Sequence, residues 1–303
     1  VTADSLTIVV PLFNGRPFLG QLLASLKAQE AAVDRYLFID DRGADGSLDC
    51  VRAFGLRRAD YVANDVNLGL YATLNRALTM VETDLAALVF QDDLLLAGYA
   101  DAMRALSRRR PEANFFTCGS ARLDAAGAPI HMPCGTGGEW TQAPGAASWR
   151  DVLLHGTSWI ISGSMSRTAA LRAYGFRPDL PQCGDFEFFV RAARGETFVY
   201  FDRPLAAIRE HPAQASAGNL ARSIDLTERI SILGEQRRRW PDDFDAALRL
   251  RLFRRYGYDI AARALGQLRR GRWRMGVNTS AHLARLADAL WLGASDRGGR
   301  PES

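Results

Sequence analysis

The strongest constraint on this chain is an alternation that runs through its first 118 residues. Short apolar runs rich in β-formers trade places with segments whose apolar residues recur at helical spacing. Residues 6–10 form such a run, ended by Pro11 and the Asn14-Gly15 turn, and Phe18, Leu19, Leu22, Leu23 and Leu26 then mark one helical face. The same alternation predicts strands at 36–39, 60–63, 85–90 and 114–118, with helices at 47–54, 69–81 and 95–109 between them. Strands joined through helices by short loops predict parallel βαβ units with helices on both faces.

After Gly119 the pattern changes. Gly, Pro and Thr dominate 127–145, which predicts an irregular hairpin or a loop. A strand at 159–165, helices at 168–174 and 185–193, and strands at 197–201 and 204–208 follow. From Leu220 the signal is helical, with breaks predicted near Pro241, Gly257 and Gly276. The expected division is 1–218 for the sheet domain, with halves 1–119 and 120–218, and 219–303 for a helical extension. No apolar run reaches the ~18 residues of a spanning helix, and no basic segment followed by an apolar stretch opens the sequence as given. Four scattered cysteines without a CxxC pair argue against a disulfide framework or structural zinc. Together these features predict a cytoplasmic protein.

Charge is uneven. From residue 219 onward there are 17 arginines against 10 acids, a net of +7, which leaves the rest of the chain at −3 within a total of +4. The tail also places arginine beside tryptophan at Arg237-Arg238-Arg239-Trp240 and at Arg269-Arg270-Gly271-Arg272-Trp273-Arg274. Arginine and tryptophan on amphipathic helices suit an anionic membrane surface. No nucleic-acid recognition motif accompanies them, so nucleic acid is not an expected partner.

In open α/β sheets, ligands bind at the carboxyl ends of parallel strands. Two acidic pairs fall there, Asp40-Asp41 after the second predicted strand and Asp92-Asp93 after the fourth. Adjacent carboxylates repel unless a cation arrives, and oxygen ligands suit Mg2+ or Mn2+. Neither GxxxxGK[ST] nor an early GxGxxG is present. A metal held by carboxylates is the natural substitute for a glycine cradle around phosphate.

Six motifs in order make the reading specific. Thr7-Ile8-Val9-Val10-Pro11-Leu12-Phe13-Asn14-Gly15 and Phe38-Ile39-Asp40-Asp41-Arg42-Gly43-Ala44-Asp45-Gly46-Ser47 resemble the opening of family 2 glycosyltransferases. Asn67-Leu68-Gly69-Leu70, with Leu74-Asn75-Arg76-Ala77 behind it, is similar to that family's next motif. Phe90-Gln91-Asp92-Asp93 resembles its DXD metal motif, and Cys183-Gly184-Asp185-Phe186-Glu187 its catalytic-base motif. Ile208-Arg209-Glu210-His211-Pro212, with Ser216 after it, resembles the late strand that brings a histidine to the metal. The family usually has Glu-Asp where this sequence has Gly184-Asp185, and Gln91 stands where another acid or small residue is common.

The resemblance implies a GT-A fold, an α/β mixed sheet flanked by helices, here with a C-terminal helical extension. It implies inverting sugar transfer from a nucleotide-diphosphate donor, most plausibly a UDP-sugar, to a glycan or lipid-linked acceptor in polysaccharide synthesis. By the same resemblance, Pro11, Phe13, Asp40, Asp41, Asn67, Gly69 and Asp92 face the nucleotide, with Asp41 accepting from the imide N–H of uracil. Asp93 and His211 bind Mn2+ or Mg2+, and Asp185 is the general base. Trp159, Ser164 and Glu187 are candidates for the acceptor or the diphosphate. The tail is expected at the inner face of the plasma membrane. Two rival readings stay open, a catalytically idle relative that binds nucleotide-sugar or scaffolds, and a sugar nucleotidyltransferase.

Overall fold

A computed structural model describes residues 4–156, 159–212 and 214–292. The chain divides into two compact units, Val1–Ser148 with Thr157–Pro212, and Trp149–Gly156 with Ala213–Ser303. Residues 149–156, expected within the sheet domain, thus fall in the second unit.

The first unit follows the alternation closely through its opening elements: β1 (Leu6–Leu12), α1 (Leu19–Lys27), β2 (Arg35–Asp40), α2 (Ser47–Phe54), β3 (Ala59–Ala63), α3 (Leu70–Met80) and β4 (Leu85–Leu88). Leu19, Leu22, Leu23 and Leu26 are all buried and pack against the sheet with Leu6, Ile8 and Val10. The strands are paired in parallel in the order β3-β2-β1-β4. Leu12 lies opposite Asp40, and Asp40 opposite Ala63. This register brings the carboxyl ends of β1, β2 and β3 to one level, so the loops that follow them share one edge.

Beyond β4 the sheet becomes mixed. Next come β5 (Leu94–Leu95), α4 (Tyr99–Arg109), β6 (Phe115–Leu123), β7 (Pro129–His131), β8 (Glu139–Gln142), α5 (Ala146–His155), β9 (Ser164–Arg167), α6 (Thr168–Tyr174), α7 (Gly184–Ala192) and β10 (Phe198–Arg209). β9 separates β4 from β6 and runs antiparallel to both, and β10 pairs parallel with β6. The expected hairpin at 127–145 is not one, because β7 pairs with β6 while β8 pairs with β10. The two strands predicted at 197–201 and 204–208 are a single strand whose register shifts on either side of Pro204. Proline has no N–H for the ladder, so the strand bulges there and continues.

In the second unit, α8 (Ala215–Ala221), α9 (Ile224–Arg239), α10 (Ala246–Arg269) and α11 (Trp273–Ala287) precede a π-helical turn at Asp288–Leu292. Trp149 is fully buried and its indole N–H donates to Gln236 Oε1 at 3.0 Å. The break at Pro241 is real, and Asp245 caps the helix after it by accepting from Leu248 N–H at 2.8 Å. The breaks expected at Gly257 and Gly276 do not occur, since α10 and α11 run through them. A Cβ on Gly276 would lie 2.6 Å from Leu268 Cδ2, so close packing of the two helices explains that glycine. Among the described residues no helix is long and apolar enough to cross a membrane.

Candidate functional site

The loops leaving β1, β2 and β4 build the candidate site, and side chains tie them to one another. Gln91, just past β4, pairs its amide with the backbone of Phe13: Phe13 N–H donates to Oε1 and Phe13 C=O accepts from Nε2, both at 2.8 Å. The Gln91 side chain lies over Gly15, where a Cβ would collide with its amide. Asn14, at φ 51°, accepts from Ala44 N–H at 2.9 Å and so joins the β1 loop to the β2 loop. The Phe13 ring, 46% exposed, stays open to solvent beside this clamp.

Asp41 is buried, and its carboxylate is already engaged. Oδ1 accepts from Asn64 Nδ2 and Leu68 N–H, each at 2.7 Å, and Oδ2 accepts from Gly69 N–H at 2.8 Å. Asn67 donates to the Asp41 backbone carbonyl at 3.1 Å. Asp41 therefore fixes the turn that starts α3, where Gly69 sits at φ 84°, a value that favours glycine. The carboxylate of its neighbour Asp40 accepts only a long 3.3 Å bond, from Gly43 N–H, among the described residues. Burial, with the charges of Asp45 and Asp41 adding to it, raises its pKa. Pro11 is buried within β1, one residue before its end.

The two members of the second acidic pair meet different partners. Asp92 Oδ2 lies 3.0 Å from His211 Nε2, and the imidazole also packs on Phe18 with ring centroids 4.4 Å apart. Asp93 is buried and points elsewhere. Its Oδ1 accepts from Arg209 N–H at 2.9 Å and it also bonds the Ser162 hydroxyl. Burial, with the Asp92 charge second, pushes its carboxyl up to about 7. Asp92 rather than Asp93 is therefore the carboxylate beside His211.

No group of three or more His, Cys, Asp or Glu side chains among the described residues could hold a metal. The pair that is present fits an ion of another kind, one that takes most of its oxygens from substrate phosphates and water and only one or two ligands from protein. His211 Nδ1 is buried without a hydrogen-bond partner among the described residues. Its Nε2 is the ring nitrogen that faces Asp92.

Arg209 supports this corner from behind. Almost fully buried, it donates from Nε to the Asp92 carbonyl at 2.8 Å and from Nη2 to Gln21 Oε1 at 2.5 Å. Its guanidinium also lies over the Phe18 ring at 5.4 Å. Burying a guanidinium this deeply requires that many partners, and they fix the backbone between Asp92 and His211.

Asp185 stands on the first turn of α7, half-buried, and its backbone N–H donates to Tyr71 Oη at 3.1 Å. Tyr71 lies two residues beyond Gly69, so the turn pinned by Asp41 and the candidate base are joined through one side chain. Tyr71 also accounts for Gly184, because a Cβ at 184 would meet its ring at 2.5 Å. The ring occupies the space that the family's more common glutamate side chain would need.

Three expected acceptor or diphosphate candidates belong to the interior. Trp159 is buried and stacked on Phe188, with centroids 5.4 Å apart at 16°. The Ser164 hydroxyl is buried and donates to Ile161 C=O at 2.7 Å. Glu187 is buried and gripped by Arg191 through two bonds of 3.0 and 3.1 Å on the same helix. The Ser164 hydroxyl and the Glu187 carboxylate are thus already engaged within the protein, and the Trp159 ring is packed in the interior. Residues the sequence reasoning missed include Asn64, Ser162 and Arg209. Only Arg209 carried a signal, as the arginine two residues before His211.

Residues 7–98 match the family model described as Glycosyl transferase family 2. The matched segment, 92 of 303 residues, is similar to glycosyl transferase family 2. The crystal structure of S. aureus TarS 1–349 in complex with UDP-GlcNAc is similar, with a TM-score of 0.58 over 93% of this chain and 92% of that one at 15% identity. The mannosyltransferase PcManGT from Pyrobaculum calidifontis, in complex with GDP-Man and Mn2+, gives 0.54 over 94% and 87% at 17% identity. The "Uncharacterized protein MT1568" of Mycobacterium tuberculosis (strain CDC 1551 / Oshkosh) is 26% identical over 251 residues, 75% of this chain and 74% of that one. The fold is therefore GT-A, as expected. The family 2 segment spans the clamp of Phe13 and Gln91, the Asp41 turn and Asp92, while Asp185 and His211 come from the mixed half of the same sheet unit.

Proposed function

We propose that the chain is an inverting glycosyltransferase that moves a sugar from a nucleotide-diphosphate donor, a UDP-sugar by preference, to a hydroxyl of a glycan or lipid-linked acceptor in cell-surface polysaccharide synthesis. The contact of Asp92 with His211, in the unit where Asp40 and Asp41 close β2, carries this reading. TarS is known with UDP-GlcNAc and with UDP, and the Pyrobaculum mannosyltransferase with GDP-Man and Mn2+. These complexes support a nucleotide-sugar donor and a divalent ion, Mn2+ or Mg2+.

In this mechanism Phe13 and Pro11 line the base, and Asp40, which has acceptor capacity left, takes the imide N–H of uracil while Asp41 holds the Asn67–Gly69 turn. Asp92 and His211 would hold the ion, which neutralises charge on the departing diphosphate when bound. Asp185 accepts the proton of the acceptor hydroxyl as its oxygen bonds the anomeric carbon. The bond to the diphosphate breaks on the opposite face, its electron pair leaving with the phosphate, so the configuration inverts.

Calorimetric titration of UDP with and without Mn2+ tests the reading. Wild type gains affinity with Mn2+; Asp92→Asn and His211→Ala lose that gain, and Asp93→Asn keeps most of it. Unchanged Mn2+-dependent UDP binding in Asp92→Asn would remove the proposed metal corner.

A further inference from the structure

The sequence contains two arginine–tryptophan clusters in its tail, and the structure separates them. At the first, Trp240 is half-buried, the Arg239 guanidinium lies 5.5 Å from its ring, and Asp242, Asp243 and Asp245 follow at once. At the second, the turn between α10 and α11 exposes Arg269, Arg270, Arg272, Trp273, Arg274 and Met275 together. Trp273 is 68% exposed and Val277, one turn along α11, is 62% exposed. Leu265, one turn before the end of α10, adds a further large exposed apolar side chain.

The charge around this turn has one sign. From residue 260 to 287 the chain has six arginines and no aspartate or glutamate. The buried side of the same two helices is filled by Ile260, Ala264, Gly276, Thr279, His282 and Leu286, so the exposed apolar groups are left over from packing. Solvated arginines alone would be an ordinary helix surface. Arg263 pairs with Asp225 at 2.7 Å, but Arg269, Arg270, Arg272 and Arg274 flank the exposed tryptophan in a stretch of sequence without acids, which calls for a partner that is anionic at its surface and apolar a few ångströms deeper. An anionic phospholipid bilayer has that profile.

We propose that the α10–α11 turn is a membrane-docking tip, in which Trp273 and Val277 enter the headgroup region and Arg269, Arg270, Arg272 and Arg274 meet lipid phosphates. This goes beyond the proposed sugar transfer and stands without it. A tip of this kind holds the enzyme reversibly, since a few arginines and one or two apolar side chains fall far short of a spanning helix.

Sedimentation of the full chain with vesicles of phosphatidylcholine alone, or with added phosphatidylglycerol, tests the proposal. Binding should require the anionic lipid. Arg269→Glu/Arg272→Glu should weaken it by roughly 20-fold or more, on the basis of ~1 kcal/mol for each basic residue near such a surface. Trp273→Ala should weaken binding and leave its salt dependence in place, whereas Arg237→Glu/Arg238→Glu should change it by less than about threefold. All variants should bind UDP as wild type does, which separates failure here from failure of the glycosyltransferase reading. Equal vesicle binding by the tip variants and wild type overturns the proposal. So does tighter binding of a single-stranded oligonucleotide than of anionic vesicles, lost in the same tip variants.

Discussion

The two halves of the sheet solve different problems. The half made of β3, β2, β1 and β4 is parallel, and its loops are tied to one another by side chains from within that half, the Gln91 clamp on Phe13 and the Asp41 hub at Gly69. The half made of β9, β6, β10 and β5 is mixed, and it contributes single residues reached across long stretches of chain. His211 contacts a residue 119 positions away, and Asp185 N–H one 114 away. In the proposed mechanism the first half holds the nucleotide by its own loops, and the second half delivers Asp185 and His211 to it.

This division is most exposed at Asp185. Replacing it by Asn leaves the Tyr71 contact with its backbone N–H intact and should leave UDP binding unchanged. Turnover with a competent donor and acceptor should fall by ~10²–10⁴. Equal loss of UDP affinity would mean that Asp185 serves the nucleotide half, and the comparison would break.

The two halves also differ in how much of them could be read in advance. Regular spacing exposed β1 to β4 and their helices because β1, β2 and β4 are apolar runs buried along nearly their whole length and each helix buries one stripe, as Leu19, Leu22, Leu23 and Leu26 do. Pairing in the second half depends on partners distant in sequence, which periodicity does not encode. Nothing local announces that 129–131 and 139–142 join different strands, or that β10 carries on past Pro204. At the site, the acidic pairs were visible as pairs. Which member faces the cleft depends on the Ser162 hydroxyl and Arg209 N–H meeting Asp93, contacts made only when β10 and the 159–163 segment arrive. Trp159 and Glu187 looked available because polar or aromatic character is legible and burial is not.

The junction between halves can be probed by size. Gly184→Glu drives a side chain into the Tyr71 ring, and overpacking of this kind costs about 1–3 kcal/mol. Thermal unfolding should show the loss, and Tyr71→Ala in the same chain should recover part of it by opening the space. If Gly184→Glu unfolds at the wild-type temperature, Tyr71 is not what keeps residue 184 small, and the link from the Asp41 turn to Asp185 is weaker than the geometry indicates.

The smallest effect expected lies wholly inside the nucleotide half, where Glu30 is buried at the end of α1. It accepts from Lys27 Nζ at 2.8 Å, Arg57 N–H at 2.7 Å and Arg57 Nε at 2.9 Å. The bond from Lys27, followed by that from the Arg57 backbone, holds its carboxyl at about 2, below the ordinary 4.5. Because the folded value lies below the unfolded one, the stabilisation is complete above about pH 4.5 and disappears as pH falls toward 2. Lys27 and Arg57 are themselves well exposed, so screening limits the contribution to about 1 kcal/mol. Glu30→Gln should unfold at a lower temperature than wild type at pH 7, with the gap narrowing by pH 3. A gap of the same size at both pH values would mean that shape rather than charge holds Arg57 against α1. The regular half would then owe its stability to packing alone, as its periodicity already suggests.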